Sequence, residues 1–374
     1  MPELPEVETV ARDLRRLVVG SRISGVRVSW ERTLRGGETA AFADALAGRT
    51  IEAVGRRAKL IVVDLSGRVA LTIHLKMTGQ LFVVPLGTPP DPYVRVELVL
   101  DDGREIRFRD IRKFGRIGLH RRDPDTDQLV EIADGRAVFG GHGPEPLEDA
   151  FTVAVFRERL RGRRGRLKPL LLDQSFIAGV GNIYADEALW RARLHPLRSA
   201  ASLRPHDERR LYSAIRAILG EAVERRGSSV DDYTAPEGDG SMQERLDVYQ
   251  RTGLPCPRCG RPIRRIVVGG RGTHVCGWCQ RLPAVDRRSA ERILARSAAS
   301  RGTPGRRWAD LERARKAAAT RRAVARANAR ATADAPADAQ TDALADAQAD
   351  EPLISGMAAT PPATASAVGV ERGR

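Results

Sequence analysis

Cys256-Pro-Arg-Cys259 and Cys276-Gly-Trp-Cys279 are two C-x-x-C knuckles separated by sixteen residues, and the chain has no other cysteine. Two knuckles at this spacing bring four thiolates around one tetrahedral Zn²⁺. A lone knuckle would leave redox chemistry open. A four-sulfur shell has no vacant position, so the metal holds a fold and does not react. Between the knuckles, Ile263–Val268 and Thr273-His274-Val275 read as strands around Gly269-Gly270-Arg271-Gly272. This is a β-hairpin whose glycine-rich tip presents Arg271, taken alone a solvated turn arginine. No thiol is left for a disulfide framework, which fits a reducing cytosol.

The remaining sequence has room for two or three domains in 374 residues. Leu4, Val7, Val10, Ala11, Leu14 and Leu17 recur at three-to-four spacing, the pattern of an amphipathic helix over 3–18. Residues 23–120 read as strands. Tyr93–Leu100 alternates, Asp101-Asp102-Gly103 turns, and Glu105–Phe108 pairs back. Several such segments predict a β-sandwich. Residues 139–148 are rich in Gly and Pro and read as a linker, and residues 151–225 are helical in pattern. The expected fold class is therefore α+β and multidomain. Its parts are a β-sandwich domain with flanking helices (1–138), a linker (139–150), a helical domain (151–246), a zinc hairpin (247–282) and a tail (283–374).

The tail changes character along its length. Residues 287–330 hold fourteen Arg/Lys against three Asp/Glu, and residues 333–374 are Ala, Asp, Thr, Gln and Pro with almost no large apolar side chains. The latter cannot build a core and are expected to be disordered. The former could become helical on a polyanion; a solvated, functionless tail is the competing reading. A net charge of +15 points to a polyanionic partner, most simply nucleic acid, although basic surfaces also serve membranes and solubility. No apolar run is long enough to span a bilayer, and the N-terminus has no secretory pattern. The expected setting is the cytoplasm, in association with the nucleoid.

The first residues, Met1-Pro2-Glu3-Leu4-Pro5-Glu6-Val7-Glu8, carry the chemistry. Methionine is routinely removed before a small second residue, which leaves Pro2 with a free secondary amine. An α-amino group titrates near ~8, against ~10.4 for lysine, so a sizeable fraction has its lone pair available at neutral pH. Attack on a sugar carbon yields a cationic iminium, a good electron sink. Glu3 beside it could move protons. The structural alternative is a Pro/Glu-rich helix entry with Pro5 in the first turn.

This opening resembles the formamidopyrimidine-DNA glycosylase family, which includes an endonuclease VIII branch. The resemblance runs from Met1 to about Arg281 and is carried by several separate motifs. Gly179-Val-Gly181-Asn182, between two apolar helical segments, is similar to the family's helix–two-turn–helix element. His74-Leu75-Lys76-Met77-Thr78-Gly79 and Asp110-Ile111-Arg112-Lys113-Phe114-Gly115 resemble its two loops that enter the base stack. An enzyme acting on a base in a duplex must extrude that base and fill the hole, usually with an apolar side chain.

The resemblance implies a role for each matching position. Pro2 would be the nucleophile, Glu3 would assist sugar-ring opening, and Glu6 would support the amine. Lys59 would contact phosphate and transfer protons. Met77 would plug the void, Arg112 would pair with the orphaned cytosine, and Phe114 would wedge the stack. His74, Lys168, Asn182 and Arg271 would contact phosphates around the damaged nucleotide. His74 also reads as a structural histidine, and Met77 and Phe114 in isolation read as core. Tyr184 and Trp190 read as core.

The implied activity is that of a bifunctional DNA glycosylase and AP lyase. It would excise oxidised purines (8-oxoguanine, formamidopyrimidines) through an N-terminal proline Schiff base with β,δ-elimination. The partner would be damaged double-stranded DNA, and the enzyme a monomer with one structural Zn²⁺. Leu4 within the opening motif sides with the formamidopyrimidine branch. The rival is an endonuclease VIII-type enzyme for oxidised pyrimidines, and a second rival is a non-catalytic damage binder. Residues 227–246 depart from the family, carrying Ser241-Met242 where many members have an aromatic pair. That leaves the lesion preference open.

Overall fold

The computed structural model describes residues 1–36, 38–89, 91–228 and 240–299, with side chains to 296. Helix α1 (Leu4–Val18) begins with Pro5 in its first turn, and Glu6 Oε2 accepts the Glu3 N–H at 2.8 Å. Its apolar stripe, Val7, Val10, Ala11, Leu14 and Val18, is buried. The strands follow in order: β1 (Ile23–Val28), β2 (Leu34–Arg35), β3 (Ile51–Arg57), β4 (Leu60–Leu65), β5 (Val69–His74), β6 (Gly79–Pro85), β7 (Val94–Leu100), β8 (Arg104–Asp110), β9 (Arg116–Arg122) and β10 (Leu129–Glu131).

One sheet runs β1-β7-β8-β6. The other runs β10-β9-β5-β4-β3, with β2 parallel to β9. Ile23, Val96, Leu98, Ile106 and Phe108 of the first sheet share a core with Ile51, Ile61, Val63, Leu71, Ile73 and Ile117 of the second, and α1 contributes to it. Burying each such side chain is worth ~1.5–3 kcal/mol, which is what closes the sandwich. The β7–β8 hairpin expected from sequence forms, with Leu98 opposite Ile106. Helix α2 (Thr39–Leu46) interrupts the predicted run of strands. Its alanine-rich sequence and the left-handed Gly48 (φ 74°) that follows it are a helix-and-stop signal.

The helical part contains α3 (Val153–Leu160), α4 (Leu167–Leu172), α5 (Asn182–Arg191) and α6 (Pro205–Glu224) around Phe151, Phe156, Phe176, Leu171, Tyr184, Leu189, Ile215 and Leu219. The zinc hairpin is β11 (Arg264–Val268) and β12 (Arg271–Val275), with Val268 opposite Arg271. Gly269 and Gly270 both have positive φ (56° and 73°), as a two-residue hairpin turn requires. No helix among the described residues is long and apolar enough to cross a membrane.

The tail expected from residue 283 starts with a helix, α7 (Ala284–Ala299). Asp286, Ala290 and Ile293 form its inner face. Ala290 and Ile293 pack with Leu197, Ile266, Val268 and Val275, against β11. Ser202 Oγ donates to Asp286 Oδ2 at 2.8 Å, and Arg166 Nη2 donates to the Ser289 carbonyl at 2.8 Å. Composition hid this helix, because a three-residue seam within a basic segment is enough to dock it. The disorder expected over 333–374, and most of the basic segment before it, lie outside the described residues.

Ala290 is fully buried at this seam. Ala290→Glu should bury an unpaired charge, undock α7 and lower the melting temperature by roughly 4 °C or more. Zinc should leave to a colorimetric chelator faster than from the unaltered chain. Unchanged release and melting would show that the hairpin does not lean on α7.

Candidate active site

Glu3 precedes α1, but its side chain reaches the helical part. Oε2 accepts from Gly181 N at 2.7 Å and Oε1 from Ile183 N at 2.8 Å, which caps the N-terminus of α5. Two glycines make the approach possible. A Cβ on Gly181 would collide with the Glu3 carboxyl. Gly179 (φ 81°) would meet Leu4 at 2.7 Å, just where its carbonyl accepts the Leu4 N–H. Glu6 lies behind Glu3. Its Oε1 accepts from Tyr184 Oη at 2.5 Å and from Ser228 N at 2.8 Å. Tyr184 is therefore core, as expected, and also a support for the site.

A cavity of ≈ 190 Å³ opens beside this network, lined by Pro2, Glu3, Met77, Tyr249 and Arg271 among others. Glu3 is almost wholly buried, and burial pushes its carboxyl up to about 7; Lys59 pulls the other way and Glu6 adds to the rise. Burial also draws the Lys59 ammonium down, opposed by Glu3 and aided by Arg271. A carboxyl shifted up and an amine shifted down are displaced toward each other, which eases proton exchange between them. Lys59 is held by the β3–β4 turn. There Ala58 (φ 54°) donates its N–H to Glu145 Oε1 at 2.5 Å, and Arg56 and Arg57 each pair with Glu145 at 2.7 Å. Glu145 belongs to the predicted linker, and sequence reading did not single it out.

The β5–β6 turn and the β8–β9 loop meet at one edge of the sandwich, because Gly79 pairs with Asp110. Met77 is 39% exposed and Phe114 is 47% exposed, so neither is core. The Arg112 guanidinium lies 5.0 Å from the centre of the Phe114 ring. His74 Nδ1 accepts the Lys76 N–H at 3.1 Å, which leaves the proton of a neutral ring on Nε2. Burial and the nearby Lys76 and Lys59 push His74 down to about 3, so it stays neutral at physiological pH. It can donate one hydrogen bond but carries no charge.

The hairpin meets the helical part at Gly272. Its carbonyl accepts from Lys168 Nζ and from Asn182 Nδ2, both at 3.1 Å. Lys168, expected at a phosphate, has internal partners. Its ammonium is fully buried and bonded to Asp186 Oδ1 at 2.6 Å, so it clamps α4, α5 and the hairpin. Asn182 Oδ1 is buried without a partner at the rim of the cavity. Arg271 is exposed and lines the cavity.

The four cysteine sulfurs lie within 4.8 Å of one another, with Cys259 Sγ 3.5 Å from Cys276 Sγ and Cys256 Sγ 3.9 Å from Cys279 Sγ. A tetrahedral ion with Zn–S bonds of ~2.3 Å sets its sulfurs about 3.8 Å apart, so Cys256, Cys259, Cys276 and Cys279 fit one structural zinc. Trp190 Nε1 donates to Cys256 Sγ at 3.4 Å, which ties α5 to the metal shell. Tyr249 was not foreseen. Its ring packs edge-on to His274 at 5.0 Å and forms part of the cavity wall. Of the capping segment, residues 229–239 lie outside the described ones; Met242 is buried in the helical core.

Comparison with known proteins matches three family models: the formamidopyrimidine-DNA glycosylase N-terminal domain over residues 1–117, the formamidopyrimidine-DNA glycosylase H2TH domain over 142–234, and a zinc finger found in FPG and IleRS over 253–282. A formamidopyrimidine-DNA glycosylase of Roseiflexus sp. (strain RS-1) is 48% identical over 284 residues, 75% of this chain and 100% of that one. The solved MutM (Fpg) protein of Thermus thermophilus is 45% identical with a TM-score of 0.66, covering 75% of this chain and 100% of that one. The Lactococcus lactis Fpg in complex with an abasic-site-containing DNA is 36% identical with a TM-score of 0.68, covering 75% and 99%.

The raised Glu3 carboxyl has a consequence for stability. Below about pH 4.5 it is protonated in both folded and unfolded chains and contributes nothing. As pH rises toward 7 only the unfolded chain ionises, so stability falls by roughly 3 kcal/mol and is flat above. In an N-terminally extended chain, which keeps the Pro2 nitrogen in a peptide bond, Glu3→Gln should raise the melting temperature at pH 8 and have little effect at pH 4. A variant less stable than the parent at both pH values would show that the lost hydrogen bond outweighs the relieved charge.

Proposed function

The chain belongs to the formamidopyrimidine-DNA glycosylase family, and from that premise we propose that it excises oxidised purines from duplex DNA and then cleaves the strand as an AP lyase. The observation that carries this reading is the cavity in which Pro2 and the buried Glu3 lie together, with Arg271 and Met77 on its wall and Lys59 close enough to Glu3 to pull its carboxyl down. With Met1 removed, the Pro2 nitrogen lone pair attacks the sugar C1′ as the bond from C1′ to the base breaks. Glu3, protonated to a useful extent near neutral pH, donates to the ring oxygen as the sugar opens. The N–H proton is lost before that opening, so that the nitrogen lone pair forms the iminium as the bond from C1′ to the ring oxygen breaks.

Electron withdrawal by the iminium acidifies C2′. Removal of that proton expels the 3′ phosphate, and a second elimination expels the 5′ phosphate. Lys59, its ammonium destabilised by burial, is suited to accept and return protons. Arg271, Lys59 and His74 supply donors for the phosphates, and the neutral His74 contributes a hydrogen bond without charge. Met77 fills the vacated stack while Arg112 and Phe114 address the opposite strand. Asn182 helps to fix the hairpin and lines the cavity. The zinc serves shape alone, because its four sulfurs close the shell.

The substrates proposed here match what related proteins are seen to bind. The Lactococcus lactis relative is solved with abasic DNA and, as a variant, with DNA containing Fapy-dG. The partner of this chain would be such damaged duplex DNA, met by a single copy of the chain at the nucleoid.

Borohydride reduction during reaction with abasic duplex should join DNA to the N-terminal residue, since only a free amine forms a reducible iminium. Blocking the N-terminus should abolish the adduct. Pro2→Gly is a poor test alone, because glycine remains an amine. An adduct that survives both changes would refute the assignment of Pro2. A panel of damaged duplexes in the same assay ranks oxidised purines against oxidised pyrimidines.

A further inference from the structure

Asp110 ends β8 and is almost wholly buried, yet its carboxylate touches both loops that carry the exposed side chains of the site. Oδ1 accepts from Thr78 Oγ1 at 2.5 Å, and Oδ2 accepts from Gly115 N at 2.7 Å. Thr78 follows Met77 in the chain. Its hydroxyl oxygen in turn accepts from Arg112 N at 3.1 Å. Gly115 is required here, because a Cβ would collide with the Phe108 ring and meet Asp110 Oδ2 at 3.1 Å.

The main chain of Asp110 is fixed as well. Its carbonyl accepts from Arg95 Nε at 2.9 Å, and its N–H donates to the Tyr93 carbonyl at 2.9 Å. Arg95 lies where β7 slips in register against β8, between Val94 and Val96. Such a bulge re-aims a side chain, here the guanidinium that reaches Asp110.

We propose that Asp110 is a positioning residue that, through Thr78, makes the Met77 turn and the Arg112–Phe114 loop act as one body. Filling the vacated stack and reading the opposite base are then a single event. This rests on the roles proposed above for Met77, Arg112 and Phe114. The chemistry of the group explains why a carboxylate stands here. It has two acceptor oxygens, one for each loop. An amide has one, and would turn an N–H₂ toward a donor. Both loops also contain a left-handed residue with a side chain, Lys76 (φ 55°) and Lys113 (φ 59°), a conformation that needs outside support. A fully satisfied buried network supplies that support and is rigid.

The test is single-turnover excision of 8-oxoguanine opposite cytosine and opposite adenine, together with elimination at preformed abasic sites. Asp110→Asn, Thr78→Val and the double variant are compared with Thr78→Ser, and Met77→Ala and Arg112→Ala serve as references. Thr78→Val and Asp110→Asn should each shrink the cytosine-over-adenine preference about tenfold, the scale of one hydrogen bond to a charged group. Excision should suffer more than abasic elimination. The double variant should be no worse than the poorer single one, as expected of residues in one network. Thr78→Ser should keep the preference. Equal loss on every substrate would mean that the residues serve the fold alone, and additive losses would mean that the loops act separately; either overturns the proposal. Silent Met77→Ala and Arg112→Ala references would instead refute the loop roles beneath it. Should Asp110→Asn fail to fold, Thr78→Val against Thr78→Ser decides.

Discussion

Helix α5 is where the parts of the molecule are joined, and buried carboxylates make the joints. Glu3 arrives from the sandwich and accepts the first free N–H groups of α5. Asp186, one turn along, accepts from His274 N at 2.8 Å and from Lys168. Glu187 accepts three successive N–H groups at Asp247, Val248 and Tyr249, at 2.8–2.9 Å. Each bond replaces water on a main-chain group that would otherwise be stranded in the interior. The same burial pushes Glu3 and Glu187 up to about 7, so the joints strain against their own charge. Carboxylates retained at that cost define one relative placement of the sandwich, helices and hairpin, which an apolar contact would define less sharply.

This arrangement also links the metal site to the wall of the cavity. Zinc fixes the two knuckles, the knuckles fix the hairpin, and the hairpin carries Arg271 on one side of its turn and the Gly272 carbonyl beside it. Lys168 and Asn182 close on that carbonyl from α4 and α5. Trp190 adds a link from α5 to Cys256, and its ring also carries the Arg258 guanidinium at 4.0 Å. Binding energy at the metal is therefore folding energy for one wall of the cavity.

Sequence alone carried the features that depend on short spacings. The knuckles, the α1 stripe, the β7–β8 hairpin and the two exposed loops all lie within a few residues of their own signal. What escaped depends on pairs far apart in the chain. Glu3 meets Gly181, Glu145 meets Ala58, and Tyr249 meets His274; nothing local marks any of them. The burial of Lys168 escaped for the same reason. A lysine at a motif position reads as a cation facing solvent, whereas Asp186 on the neighbouring helix draws it fully inside. Helix α2 is marked by its alanines, but the strand pattern on both sides masks it. Helix α7 lies beyond the residues matched by the family models, and a seam of Asp286, Ala290 and Ile293 is too small for composition to register.

The balance of rigid and exposed parts follows the chemistry that each serves. Glu3, Glu6 and Lys59, to which proton transfer and support of the amine are proposed above, are buried on main chain fixed by helix ends and a tight turn. Met77 and Phe114, proposed above to enter a base stack, are exposed, so packing within the chain does not fix them. Their positions must be set from behind, by main-chain hydrogen bonds that do not depend on the ligand. Asp110 and Thr78 occupy that place, one residue back from the surface. Lys113, resting 3.9 Å over the Trp30 ring, anchors the far side of the same loop. An exposed apolar side chain on a mobile loop would lose conformational entropy at each encounter; one held in advance loses less, and more of its contact with the opened duplex remains as binding.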